Sequence, residues 1–196
     1  VLSCLEAAQR PAAVADAVRA AKNGRLVVLP AEHGMVVATD AFSGNGVASL
    51  RAAKGLTPQS VVGVLVGHAA GVHGIAVLPP PGQDLVDAFW PGPLTLILRA
   101  QPSLSWPFAG RIAVRMPLHP LLLDVLRGVG PMVASAVAEP AAVPGAAVVL
   151  DTGPRPPGPP SAVIDLTAAL PVVVRLGALA PERLAEVVPM LAAQTT

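Results

Sequence analysis

Apolar and polar positions alternate along this chain in two distinct rhythms. From Pro11 to Asn23 apolar residues recur at Val14, Ala17, Val18 and Ala21, a helical spacing that Pro11 opens and Gly24 closes. Arg25 to Leu29 then reads as a short β-branched strand, and 45–54 as a second helix with Asn45 as N-cap and Gly55 as its stop. Val61 to Val66 is wholly apolar and valine-rich, too short for a buried helix and therefore a buried strand. Further strands are predicted over 94–99, 112–115, 131–136, 147–150, 162–166 and 172–175, with helices over 82–90, 119–127 and 181–191. Helices and strands interleave, yet several strands follow one another directly. That pattern predicts an α/β fold with a twisted mixed sheet and flanking helices rather than a regular doubly wound one.

One interruption in the pattern carries chemistry. "LVVLPAEHGMVV", Leu26 to Val37, is an apolar run broken at Pro30 into Ala-Glu-His-Gly before it turns apolar again. Glu32 beside His33 at the mouth of a strand resembles acid–base equipment. A second break, "TGPRPPGPPS" from Thr152 to Ser161, is a Pro/Gly loop that reads as a functional edge or as a plain connector.

Composition narrows the picture. At 196 residues, 53% hydrophobic and 13% charged, the chain has material for a large core, and a single domain over 1–196 is expected. A formal net charge of +1 gives no global pull towards nucleic acid but leaves room for a local basic cleft. The only cysteine, Cys4, allows no internal disulfide and no thiolate zinc site, so a cytoplasmic location is expected. Residues 55–83 contain no Asp, Glu, Lys or Arg, but prolines and glycines punctuate the run, and strand–turn–strand fits better than a membrane span. The N-terminus lacks the basic head and apolar segment of a signal peptide.

Several familiar sites are absent from the sequence. There is no Gly-x-x-x-x-Gly-Lys-Ser/Thr loop, no Gly-x-Ser-x-Gly elbow and only a fragment of a dinucleotide fingerprint at Gly44 and Gly46. The histidines His33, His68, His73 and His119 lack metal-ligand spacing, and no protein-bound metal is expected. What remains is a set of cations at strand and helix ends, Lys54, Arg99, Arg115 and Arg175. In an open α/β sheet such positions hold phosphate or carboxylate groups; they are equally where solvated surface charges lie.

Five segments together resemble one family, the YrdC-like threonylcarbamoyl-AMP synthases. "AFWPGPLTLIL" over 88–98 resembles its Phe-Trp-Pro-Gly-Pro-Leu-Thr motif, and "AVRMPLHP" over 113–120 its Val-Arg-x-Pro turn. "LRAAKGLTP" resembles its Lys-Gly-Arg segment, "SAVIDLT" its Ser-Thr-Val-Val-Asp-Leu, and "VVRLGAL" its Leu-Arg-Pro-Gly ending. The resemblance implies a YrdC-like sheet with a large, positively charged concave cleft. It also implies condensation of L-threonine, bicarbonate and ATP, with Mg²⁺ travelling on the nucleotide, for tRNA modification. By the same resemblance Lys54, Ser135 and Arg175 belong to nucleotide binding. Arg115 and Ser161 face the threonine, and Glu32 and His33 lie in the substrate loop.

The departures are specific. Where the family has Leu-Pro-Thr-Asp-Thr-Val-Tyr-Gly, this chain has Ala31 for the hydroxyl-bearing threonine and Met35 for the aromatic platform. The arginine of Lys-Gly-Arg is Leu56, and the asparagine of Pro-Ser-Ala-Asn is Val137. Phosphate oxygens deprived of such donors lose about 1.5–3 kcal/mol each. The expectation is a degenerate paralogue that keeps nucleotide or RNA binding, with Glu32 and His33 either re-tuned for another ligand or free to drift. The alternatives are an active synthase, and a regulatory or scaffolding subunit beside a protein partner of the pathway. With 3% aromatics and no tyrosine, base stacking on single-stranded RNA is disfavoured.

Overall fold

The structure is a computed structural model and describes residues 1–32, 34–57, 59–104, 106, 110–138, 143–154 and 158–194. Eleven strands among these residues form one sheet. In chain order they are β1 (Leu2–Ser3), β2 (Val27–Ala31), β3 (Gly34–Asp40), β4 (Val62–Leu65), β5 (Ala76–Val77) and β6 (Leu94–Ala100). There follow β7 (Arg111–Arg115), β8 (Met132–Val137), β9 (Val148–Asp151), β10 (Ala162–Asp165) and β11 (Val172–Arg175). The spatial order is β1-β9-β2-β3-β8-β4-β7-β6-β10-β11, with β5 paired to the far end of β6. Pairs β1–β9, β2–β9, β4–β7 and β6–β10 are parallel and the others antiparallel, so the mixed sheet expected from the element order is present.

Helices α1 (Arg10–Lys22), α2 (Gly44–Lys54), α4 (Pro80–Phe89), α5 (Pro120–Val129) and α6 (Pro181–Val187) flank the sheet, with a single-turn α3 (Val72–Ile75) before β5. Strand alternation sorts their partners. Val28, Val37, Val62 and Val133 pack with Val47 and Leu50 of α2, while Leu96, Leu98, Ile112, Val114 and Ile164 pack with Leu85 and Phe89 of α4 and Leu184 of α6. On the opposite face, Leu29, Ala38, Met132 and Ala134 lie under α1 and α5. Leu122 and Leu126 of α5 are almost fully buried there, each burial stabilising the fold by about 1.5–3 kcal/mol.

That second face is covered over one half only. Along β4, β7, β6 and β10 every second residue is buried by the α4–α6 layer, and the residues between them stay half-buried: Gly63, Ala113, Thr95, Ile97 and Val163. Helices α1 and α5 pack over β1, β2, β3, β8 and β9 and reach β4 only at Leu65. The result is an open sheet face bordered by α5.

Some expected boundaries move. The cap of α2 is Ser43, whose Oγ accepts from the Gly46 N–H at 3.2 Å, so Asn45 lies inside the helix; Gly55 ends it at φ +60° as expected. The closing helix stops at Val187 and continues as a 3₁₀ segment from Pro189 to Gln194. Residues 34–40, not anticipated as a strand, form β3 at the centre of one half of the sheet. No helix among the described residues is long and apolar enough to cross a membrane.

Cys4 is buried at the end of β1. Burial raises its thiol pKa, Arg10 opposes this, and Asp151 adds to it. With the folded pKa above the unfolded one, the associated stability is complete below the ordinary thiol range and lost as pH rises through the raised value. Wild type is therefore expected to lose stability in alkaline urea titrations above about pH 8.5, and Cys4→Ala to lose less over the same interval. Parallel curves for the two proteins would remove the thiol from the account.

Candidate active site on the open half of the sheet

The open face has two ends. At one, β7 finishes on Arg115, and β6 and β10 begin. Arg115 Nε donates to the Gly92 carbonyl at 2.9 Å, within the Trp-Pro-Gly-Pro turn that precedes β6. Its Nη2 lies 2.9 Å from Glu32 Oε2, with side-chain exposures of only 15% and 14%. Both atoms are sealed from solvent, and the contact joins opposite charges. Glu32 Oε1 accepts from the Leu118 N–H, so one carboxylate ties the β2–β3 turn to both the end of β7 and the segment leading to α5. Burial lowers the Arg115 pKa, the Glu32 carboxylate opposes this, and the positive charge of Arg175 lowers it further. Arg175 therefore acts on the same spot.

Arg175 reaches that spot through Ser161. Its Nε donates to the Ser161 carbonyl at 2.9 Å and its Nη2 approaches Ser161 Oγ at 3.4 Å. Ser161, 7% exposed, shares a 2.8 Å hydrogen bond with Thr95 Oγ1. Gly177 makes this arrangement sterically feasible: at φ +57°, an added Cβ would stand 2.3 and 2.5 Å from the Pro160 and Ser161 carbonyl oxygens. Two arginines, two hydroxyls and one carboxylate thus converge on the beginning of β6 and β10. Such a group suits a small zwitterion or carboxylate with a hydroxyl.

Lys54 and Ser135 lie elsewhere. Lys54, the last residue of α2, donates from Nζ to the Ala136 carbonyl at 2.8 Å. Ser135 pairs in register with Val37 and so faces the α2 layer, half-buried. The structure therefore brings Glu32, Arg115, Ser161 and Arg175 together and leaves Lys54 and Ser135 at the end of β8. Arg175, grouped by resemblance with those two, bonds Ser161. His33 lies outside the described residues. Thr95, Gly92 and the Leu118 N–H were not singled out from sequence, although Thr95 and Gly92 stand inside the Trp-Pro-Gly-Pro-Leu-Thr motif.

Three of the four altered positions share a location, while Ala31 lies on the other face of the sheet. Met35 and Val137 are direct cross-strand partners between β3 and β8, and both, with Leu56, pack against the core under α2. Among the described residues, no group of three or more His, Cys, Asp or Glu is placed to hold a metal ion.

This arrangement has known counterparts. The Sua5/YciO/YrdC family, described as "Telomere recombination", matches residues 19–177. A putative threonylcarbamoyl-AMP synthase of Mycobacterium tuberculosis is 39% identical over 94% of this chain and 93% of its own length. The threonylcarbamoyl-AMP synthase of Bacillus subtilis is 28% identical, and the chain spans only 56% of it. Among solved structures, Pyrococcus abyssi Sua5 complexed with L-threonine superposes with a TM-score of 0.80 at 26% identity, over 89% of this chain and 57% of that one. Escherichia coli YciO shares the fold, with a TM-score of 0.78 over 90% of this chain and 94% of that one at 19% identity. From its sheet, its turn motifs and its match over most of its length, the chain belongs to the Sua5/YciO/YrdC family.

Proposed function

We propose that this protein is a threonylcarbamoyl-AMP synthase-like member of the tRNA-modification machinery whose amino-acid end is kept and whose phosphate end is rebuilt. Arg115, Arg175, Ser161 and Thr95 take the carboxylate and hydroxyl of L-threonine. ATP with its Mg²⁺ is a substrate rather than a resident cofactor, and synthesis of the adenylate is slow. The observation that carries this reading is the packing of Leu56 and Val137, with Met35, against one core under α2, where the family resemblance expects an arginine and an asparagine for the nucleotide. Residual binding of nucleotide or RNA, action in the cytoplasm and a protein partner in the pathway belong to the same reading.

A second reading, a fully active synthase, is favoured by the 39% identity to the mycobacterial relative across nearly both whole chains. One experiment separates the two. The purified protein is incubated with ATP, L-threonine and bicarbonate beside an active relative, and threonylcarbamoyl-adenylate is quantified by mass spectrometry. We expect little product from wild type. The double variant Leu56→Arg with Val137→Asn is expected to yield at least about tenfold more, the equivalent of one recovered contact of about 1.4 kcal/mol. A wild-type rate equal to that of the relative would establish the second reading.

A further inference from the structure

The guanidinium of Arg115 is gripped along one edge and open along another. Nε donates to the Gly92 carbonyl at 2.9 Å and Nη2 lies 2.9 Å from Glu32 Oε2. The Trp-Pro-Gly-Pro turn and the β2–β3 turn therefore hold the same edge of its plane. Nη2 is sealed from solvent. Nη1 has no hydrogen-bond partner among the described residues and is open to solvent, which makes it the nitrogen left for a ligand. A guanidinium is a rigid planar fork, and two anchors on one edge fix where its remaining donors point.

Glu32 is itself anchored. Its other oxygen, Oε1, accepts from the Leu118 N–H, and the side chain is only 14% exposed. Support thus runs from a backbone amide through a carboxylate to an arginine. The charge of Arg175 gives that support work to do, because it repels Arg115 at the same spot and adds to the cost of burying it. The Glu32 carboxylate is the negative group that opposes both effects. A long side chain ordered before its ligand arrives does not lose that freedom on binding, so a held Arg115 binds more tightly than a loose one.

We propose that Glu32 is a positioning residue for the amino-acid end of the cleft, fixing the Arg115 guanidinium with Nη1 directed at the carboxylate of the bound amino acid. This deepens the function proposed above and rests on it for the kind of ligand. Glu32 acts through Arg115 alone and touches no ligand. Its removal therefore weakens recognition of the ligand's carboxylate and leaves recognition of the ammonium and hydroxyl groups intact.

Two ligands separate this role from a structural one. L-Threonine and L-threoninol, which has a hydroxymethyl group in place of the carboxylate, are titrated calorimetrically into wild type, Glu32→Gln, Arg115→Gln and the double variant, well below the melting temperature of each. Glu32→Gln keeps the shape but loses the charge and one of two acceptor oxygens. It is expected to bind L-threonine about tenfold more weakly, as the loss of one charge-assisted contact implies, and L-threoninol as wild type does. The double variant should bind L-threonine no more weakly than Arg115→Gln alone, because the second change removes a support with nothing left to hold. Glu32→Asp, the milder change, keeps the charge with one methylene fewer and should show a smaller loss with the same selectivity. Asp124→Asn, which removes a carboxylate from an exposed pair on α5, should leave both affinities unchanged. Equal weakening of the two ligands in Glu32→Gln would mean that Glu32 holds the fold or binds the ammonium group itself, and overturns the proposal. Unchanged L-threonine binding in Glu32→Gln overturns it too, and leaves the proposed function standing. No binding of L-threonine by wild type would count against both.

Discussion

Replacing Gly177 with alanine is expected to lower the melting temperature by about 5–15 °C, the equivalent of roughly 2–4 kcal/mol in a chain of this size. Two costs combine. A left-handed backbone at φ +57° disfavours any side chain by about 1–2 kcal/mol. The new Cβ would also stand 2.3 Å from the Pro160 carbonyl and 2.5 Å from that of Ser161, closer than backbone atoms tolerate. Since the Ser161 carbonyl also accepts from Arg175, the movement that relieves the clash dismantles one side of the candidate site. Gly110→Ala is the matched comparison: Gly110 has φ +73° but open space around its missing Cβ, so it should show the conformational cost alone. If the two variants melt together, carbonyl crowding at Gly177 contributes nothing.

The Glu32–Arg115 pair carries the second large effect. Each partner is about 85% covered, and removing one leaves a nearly buried charge without its opposite. Breaking fully buried pairs costs 3–5 kcal/mol; for this slightly open pair about 2–3 kcal/mol is expected in either Glu32→Gln or Arg115→Gln, read as a shift in urea midpoint at unchanged slope. The double variant should recover part of that loss, with a coupling of about 1–2 kcal/mol. Additive effects would mean that the two side chains are neighbours without being partners. Arg115→Gln should also weaken L-threonine binding about tenfold, since a charge-assisted contact is lost.

Much of this molecule was readable from its sequence, and the failures have physical causes. Helices α1 and α5 announced themselves because their apolar spacing and their opening prolines agree, and local rules suffice for such elements. Strand β3 did not. Its first residue is Gly34 and its last two are Thr39 and Asp40, so its pattern is weak, and pairing with β2 and β8 on both sides makes it a strand. β1 and β5 have two residues each, below any periodicity. Of the residues grouped at the candidate site, Arg115, Ser161 and Arg175 stand in short motifs that the sequence displays. The contact between Glu32 and Arg115 joins residues 83 positions apart in sequence, and the opposition of Arg99 and Arg111 depends on a hairpin register that no local pattern encodes.

The shared packing of Met35, Leu56 and Val137 has a consequence for how this cleft can change over generations. Each of the three leans on the same core, so a polar residue placed at one position alone stands against an apolar surface that the others help to form. Substitutions there are expected to be coupled, the effect of one depending on whether its neighbours have changed. On the proposed reading, a change of ligand at this end of the cleft would require two or three substitutions at once.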